Sequence, residues 1–251
     1  MNAATHGRHT NRACRNVRPF ASGDLAVGLA GIVCLAIVTR RFIDLPVSYL
    51  LQVVVLYILL AGLVLWRLPA FLSGPGLGAA NRVTLGRAAL VLSLAALVSQ
   101  PAILRPADYW WIITVSTVVM ILDGVDGWVA RRAGQTVFGG QFDMELDAFL
   151  ILVLAVLVWR SGQAGPWILL IGALRYLFVA AGWVWPMLAE ELRPSWRRKT
   201  ICVAQGVVLL VCLGPVVPSA TASLLAAAAL ALLGASFAVD VRWLARRSEN
   251  N

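Results

Sequence analysis

The chain has 251 residues, of which 60% are hydrophobic and only 13% charged, and its mean hydropathy is +0.82. Such a balance excludes a soluble globular domain and reads as an integral membrane protein. The net charge of +9 does not point to nucleic acid as a partner, because no basic stripe with interleaved aromatics lies outside the apolar stretches.

The chain opens with a basic segment holding Arg8, Arg12, Arg15 and Arg18, with His6 and His9 as an isolated, solvated pair. An apolar run follows, continuing into Thr39, Arg40 and Arg41 with no small-residue cleavage site after it, so a retained first helix is expected rather than a signal peptide. Further apolar runs give spans at about 24–39, 46–66, 83–99, 109–125, 147–159, 166–185, 200–217 and 219–239. The fifth is short unless extended back to about 140. Backbone amides inside lipid must be satisfied within the segment, so the expected fold is all-α, a polytopic transmembrane helical bundle of about eight spans.

Arginine and lysine orient the bundle. With the N-terminus inside and strict alternation, the inner segments hold sixteen of these residues. The outer ones hold four, Arg40, Arg41, Arg105 and Arg160. That bias predicts both termini in the cytoplasm of a cell membrane. Trp110, Trp111, Trp183 and Trp185 fall at span ends, as aromatic belts do. The break Leu72-Ser-Gly74-Pro75-Gly76-Leu-Gly78 divides the chain. It separates a basic tail with two helices (1–72) from a six-helix core (73–242), and a short tail (243–251) follows. Cys14, Cys34, Cys202 and Cys212 form no pair with metal-ligand spacing.

Four aspartates sit where lipid should forbid them. Asp123 and Asp126 end the fourth span, and Asp143 and Asp147 begin the fifth. Spacings of three and four put each pair on one helix face. The glycines of 131–142 are expected to turn the chain back between the two pairs. Carboxylates at membrane depth need partners. By sequence proximity only Arg131, Arg132 and Arg175 offer side-chain partners, and a divalent cation satisfies clustered carboxylates better. All-oxygen sites of high charge suit Mg²⁺ or Mn²⁺. Gly127 and Ala130 leave the surface beside the carboxylates without bulk, although helix packing alone explains small residues. Arg131 offers a charge for phosphate oxygens. Glu145 points to another face than its aspartate neighbours, and Asp240 reads as an interfacial ion pair with nearby Arg242.

The run Asp123-x-x-Asp126-Gly127-x-x-Ala130-Arg131, then Gly139-x-x-x-Asp143-x-x-x-Asp147, resembles the signature of the CDP-alcohol phosphotransferase family. Every fixed position is filled, with a seven-residue spacer where many members have eight. Upstream, Asn81-x-x-Thr84-x-x-Arg87 resembles the run that opens the family's first core helix, with Ala80 in place of its usual proline. The resemblance covers about 72–240 and leaves the first two helices as an addition.

It implies a membrane enzyme that moves a phosphatidyl group from CDP-diacylglycerol to an alcohol and releases CMP, in phospholipid synthesis. Two divalent ions would be held by Asp123, Asp126, Asp143 and Asp147, with Asp147 also taking the acceptor's proton. Asn81, Thr84, Arg87, Gly127, Ala130, Arg131 and Gly139 would line the donor pocket. It also implies a homodimer. Arg175, a lone intramembrane arginine, either binds the phosphate of an acceptor such as glycerol 3-phosphate or inositol phosphate, or pairs with an aspartate. The stretch Trp196-Arg197-Arg198-Lys199 makes Arg198 and Lys199 further acceptor candidates; its plainer reading is contact with anionic lipid. Two other readings stand: an ion or proton transporter with intramembrane aspartates, against which no paired repeat or broken helix is visible, and a catalytically silent relative.

Overall fold

The structure, a computed structural model, describes residues 15–16, 18–67, 71–72, 79–100, 104–133, 137–189 and 195–249. Among these residues there are eight α-helices: α1 (Arg18–Ile43), α2 (Val47–Arg67), α3 (Ala79–Leu97), α4 (Asp108–Ala133), α5 (Val137–Arg160), α6 (Leu169–Val184), α7 (Trp196–Leu213) and α8 (Ser219–Glu249). Short 3₁₀ turns at Pro166–Ile168 and Pro186–Ala189 flank α6. A minimal antiparallel ladder joins Arg15–Asn16 to Phe71–Leu72 and ties the chain before α1 to the exit of α2.

Every expected span is a helix, and the differences lie at the ends. The fifth begins at Val137, ten residues before its apolar stretch, so Gly139 and Gly140 are helical rather than part of a turn. Only residues 134–136, outside the described residues, separate α4 from α5. The last helix runs to Glu249, through charged residues that mark the end of its apolar run. At ~1.5 Å per residue that length exceeds a ~30 Å hydrocarbon layer, so one end of α8 stands beyond it.

Among the described residues, five helices are long and apolar enough to cross a membrane: α1, α2, α4, α6 with its preceding 3₁₀ turn, and α8. Of the others, α3 has a shorter apolar stretch, Val83–Leu97. Helix α5 carries Asp143, Glu145 and Asp147, and α7 carries Arg197, Arg198 and Lys199, each within its first turns. The protein is a polytopic helical membrane bundle.

Helix α3 is the hub. It packs on α4, α1, α5 and α2, while α5 also touches α6 and α7, and α7 pairs with α8. The buried side chains form one continuous cluster from Ile32 and Tyr49 through Leu94, Val119 and Leu154 to Leu209 and Ala226. Leu51, Val55, Ile58, Leu59 and Leu63 of α2 face outward, as a lipid-exposed surface requires. Ala222, Ala226 and Ala229 make α8's alanine-rich stretch a close-packing face, with Leu224 and Leu232 turned away.

Candidate active site

Four helix ends meet where the acidic pairs lie: the start of α3, the end of α4, and the starts of α5 and α7. Helix α4 supplies Asp123 and α5 supplies Asp143 and Asp147, which four-residue spacing stacks on one face. Each of the three has a carboxylate oxygen within 4.8 Å of the others'. Their side chains are 35%, 27% and 29% exposed, so the cluster opens on one side.

The centre of the cluster is a cation that sequence proximity did not single out. Arg87 of α3 is 1% exposed and reaches all three carboxylates. Its Nη1 donates to Asp143 Oδ1, its Nη2 donates to Asp147 Oδ1, and the same Nη2 lies 3.0 Å from Asp123 Oδ1. Like charges about 4 Å apart repel by roughly 4 kcal/mol at a near-surface dielectric, so three converging carboxylates need this cation or another. A signal for Arg87 existed. It is the one arginine within the apolar stretch Val83–Leu97, the same warrant that singled out Arg175, whereas the resemblance had named it only as lining the donor pocket.

The other expected residues fall as follows. Thr84 is buried one turn before Arg87 on the same helix, and Asn81 lies in the first turn of α3. Gly127 continues α4 beyond Asp123. The surroundings of Asn81, Asp126, Ala130, Arg131, Arg132 and Gly139 lie outside the described residues. Arg175 does not pair with an aspartate: its Nη2 donates to Glu145 Oε1 at 2.5 Å, bridging α6 to the outward face of α5. Its Nε, by contrast, is buried without a hydrogen-bond acceptor. Asp240 pairs across helices rather than with Arg242. Arg197 of α7 reaches it at 2.5 Å and also donates to the Ser236 carbonyl, and Arg198 lies 3.9 Å away. Lys199 stands over the ring of Trp196 at 5.8 Å. Of the acceptor candidates, then, Arg175 and Arg198 are held in ion pairs and Lys199 is the more exposed.

A divalent ion fits this donor set. Three carboxylates on two helices converge, all ligand atoms are oxygen, and one side stays open for water or a ligand's oxygens. No curated protein and no solved structure gives a match. A family model described as CDP-alcohol phosphatidyltransferase matches residues 77–238, from the approach to α3 well into α8. That span is more than half the chain and contains Arg87 and all four aspartates, and the chain belongs to the CDP-alcohol phosphatidyltransferase family.

Proposed function

We propose that the protein moves a phosphatidyl group from CDP-diacylglycerol to a phosphorylated alcohol, of the glycerol 3-phosphate or inositol phosphate kind, releasing CMP for phospholipid synthesis. Membership of the family supports phosphatidyl transfer. The observation that carries the finer reading is the meeting of Asp123, Asp143 and Asp147 at one open point.

Asp123, Asp126, Asp143 and Asp147 would hold two dications, Mg²⁺ or Mn²⁺. Ions bound there would supply charge neutralisation for the donor's diphosphate and for the departing CMP. Arg131 and Thr84 bind and orient the diphosphate, Arg87 acts on it through the carboxylates it holds, and Asn81, Gly127, Ala130 and Gly139 line the cytidine side. Asp147 takes the proton of the acceptor hydroxyl. The freed oxygen bonds to the lipid-side phosphorus as the phosphoanhydride P–O bond breaks, and CMP carries that electron pair away. A carboxylate beside a dication stays ionised, which keeps it ready to accept a proton. Arg175, Arg198 and Lys199 select an anionic acceptor by charge. The bundle lies in the cell membrane with both termini and the site on the cytoplasmic side, a reading that the arginine bias supports.

The test is CMP release from CDP-diacylglycerol, screened over acceptor alcohols, together with thermal stabilisation by CDP plus Mg²⁺. A transporter would give neither. Asp147→Asn should abolish transfer while the variant stays folded and still binds donor; normal turnover would refute the base assignment.

A further inference from the structure

Arg87 differs from the other cations near the site. It is 1% exposed, too deep for its head group to reach water, and its fork bridges residues from two other helices. An arginine whose task was only to fix topology would lie at a helix end with its charge in the headgroups. The planar guanidinium is suited to holding several carboxylates at once, since its N–H groups diverge in one rigid plane, which an ammonium cannot reproduce. Three carboxylates and one guanidinium leave a formal charge of −2 on the described cluster, the charge one dication would cancel. The oxygens it engages, Oδ1 of Asp123, Asp143 and Asp147, belong to the residues whose carboxylates converge.

We infer that Arg87 is a built-in counter-cation of the metal site: it holds the three carboxylates together in the metal-free protein and competes with dications for them. The inference rests on the metal assignment above and makes Arg87 a positioning residue for it. Two consequences follow. The acidic ends of α4 and α5 pack against α3 before any ion arrives, so folding in the membrane does not depend on metal. The price is affinity, because an incoming dication meets a fixed positive charge and must share or displace its carboxylates.

The experiment is a Mn²⁺ titration of the full-length protein in lipid nanodiscs without substrate, following free Mn²⁺ by electron paramagnetic resonance. Tm is measured in parallel in chelator and in Mn²⁺. The wild-type protein should bind Mn²⁺ and keep nearly the same Tm in chelator. Arg87→Gln should bind Mn²⁺ about tenfold tighter, a modest share of the Coulomb repulsion between a guanidinium and a dication a few ångströms apart. The same variant should lose Tm in chelator and regain it with Mn²⁺. Arg87→Lys, which keeps the charge without the fork, should hold an affinity close to wild type and show a smaller, chelator-specific loss of Tm. Unchanged or weaker Mn²⁺ binding by Arg87→Gln, with equal Tm losses in chelator and Mn²⁺, would overturn the inference, since a purely structural arginine behaves that way. If Arg87→Gln cannot be purified folded, Arg87→Lys decides: equal losses in both conditions overturn the inference, and a loss confined to chelator supports it. A wild-type protein that binds no Mn²⁺ would sink the metal assignment itself, and this inference with it.

Discussion

Two arginines lie inside apolar helices, and the structure gives them different partners. Arg87 is enclosed by aspartates, whereas Arg175 is 31% exposed and shares a single contact with Glu145, itself 54% exposed. A pair that open contributes about 1 kcal/mol or less to stability. It therefore leaves the guanidinium available for a better partner, and the buried, unused Nε of Arg175 points the same way. Arg175→Ala is expected to raise the acceptor's KM about tenfold, the worth of one charge-assisted hydrogen bond. Glu145→Gln should shift that KM in the opposite direction by removing the competing carboxylate. Steady-state kinetics with acceptor varied at saturating donor checks both; an effect of Arg175→Ala confined to donor affinity would count against it. At this scale the acidic residues were legible because their spacing is local to two helices. Their counter-ion was not, because Arg87 is 56 residues from Asp143 in sequence and only packing brings them together. The same blindness applies to Asp240, whose cation comes from α7 rather than from nearby Arg242.

At the scale of elements, apolar length located all eight helices, because lipid leaves the backbone no alternative. It misplaced their ends wherever function puts charge inside the helix. Helix α5 starts at Val137, a full turn and a half before Asp143, since helical geometry is what sets Asp143 and Asp147 on one face. Besides its contacts with α3 and α7, α5 packs closely on α6. A Cβ built on Gly172 would lie 2.4 Å from the Leu152 Cα, so the two backbones approach as closely as glycine allows. Gly172→Ala must push α6 away from α5, at a cost of about 1–3 kcal/mol. It should lower Tm and, through displacement of the helix that carries Asp143 and Asp147, weaken Mn²⁺ binding. Gly62→Ala, on a lipid-facing position of α2 with nothing within 4 Å, should leave both unchanged. Thermal unfolding of the two variants side by side tests whether the close approach or helix propensity governs.

Over the whole molecule, the added helices and the charge distribution constrain each other. The α1–α2 hairpin lies outside residues 77–238 that match the family, yet it packs directly on α3, the helix that carries Thr84 and Arg87. Its contacts there include a polar one, Tyr49 donating to the Ser93 carbonyl at 3.2 Å, and just past the end of α3 Ser99 donates to Gln52 at 2.8 Å. Tyr57 closes the hairpin itself by donating to the Leu25 carbonyl at 2.8 Å. Adding two helices keeps the number even, which leaves the orientation of every following helix unchanged. Crossing by all eight helices would put both ends of the bundle and the α4–α5 connection on one side and Ser161, in the turn after α5, on the other. In a background lacking the native thiols, cysteines placed at Ser248 and Ser161 should react oppositely with a membrane-impermeant maleimide in right-side-out vesicles. The Ser161→Cys protein should label and the Ser248→Cys protein should label only after permeabilisation. Labelling of both from outside would mean that α7, which alone of the three helices between the two positions lacks a long apolar window, does not cross.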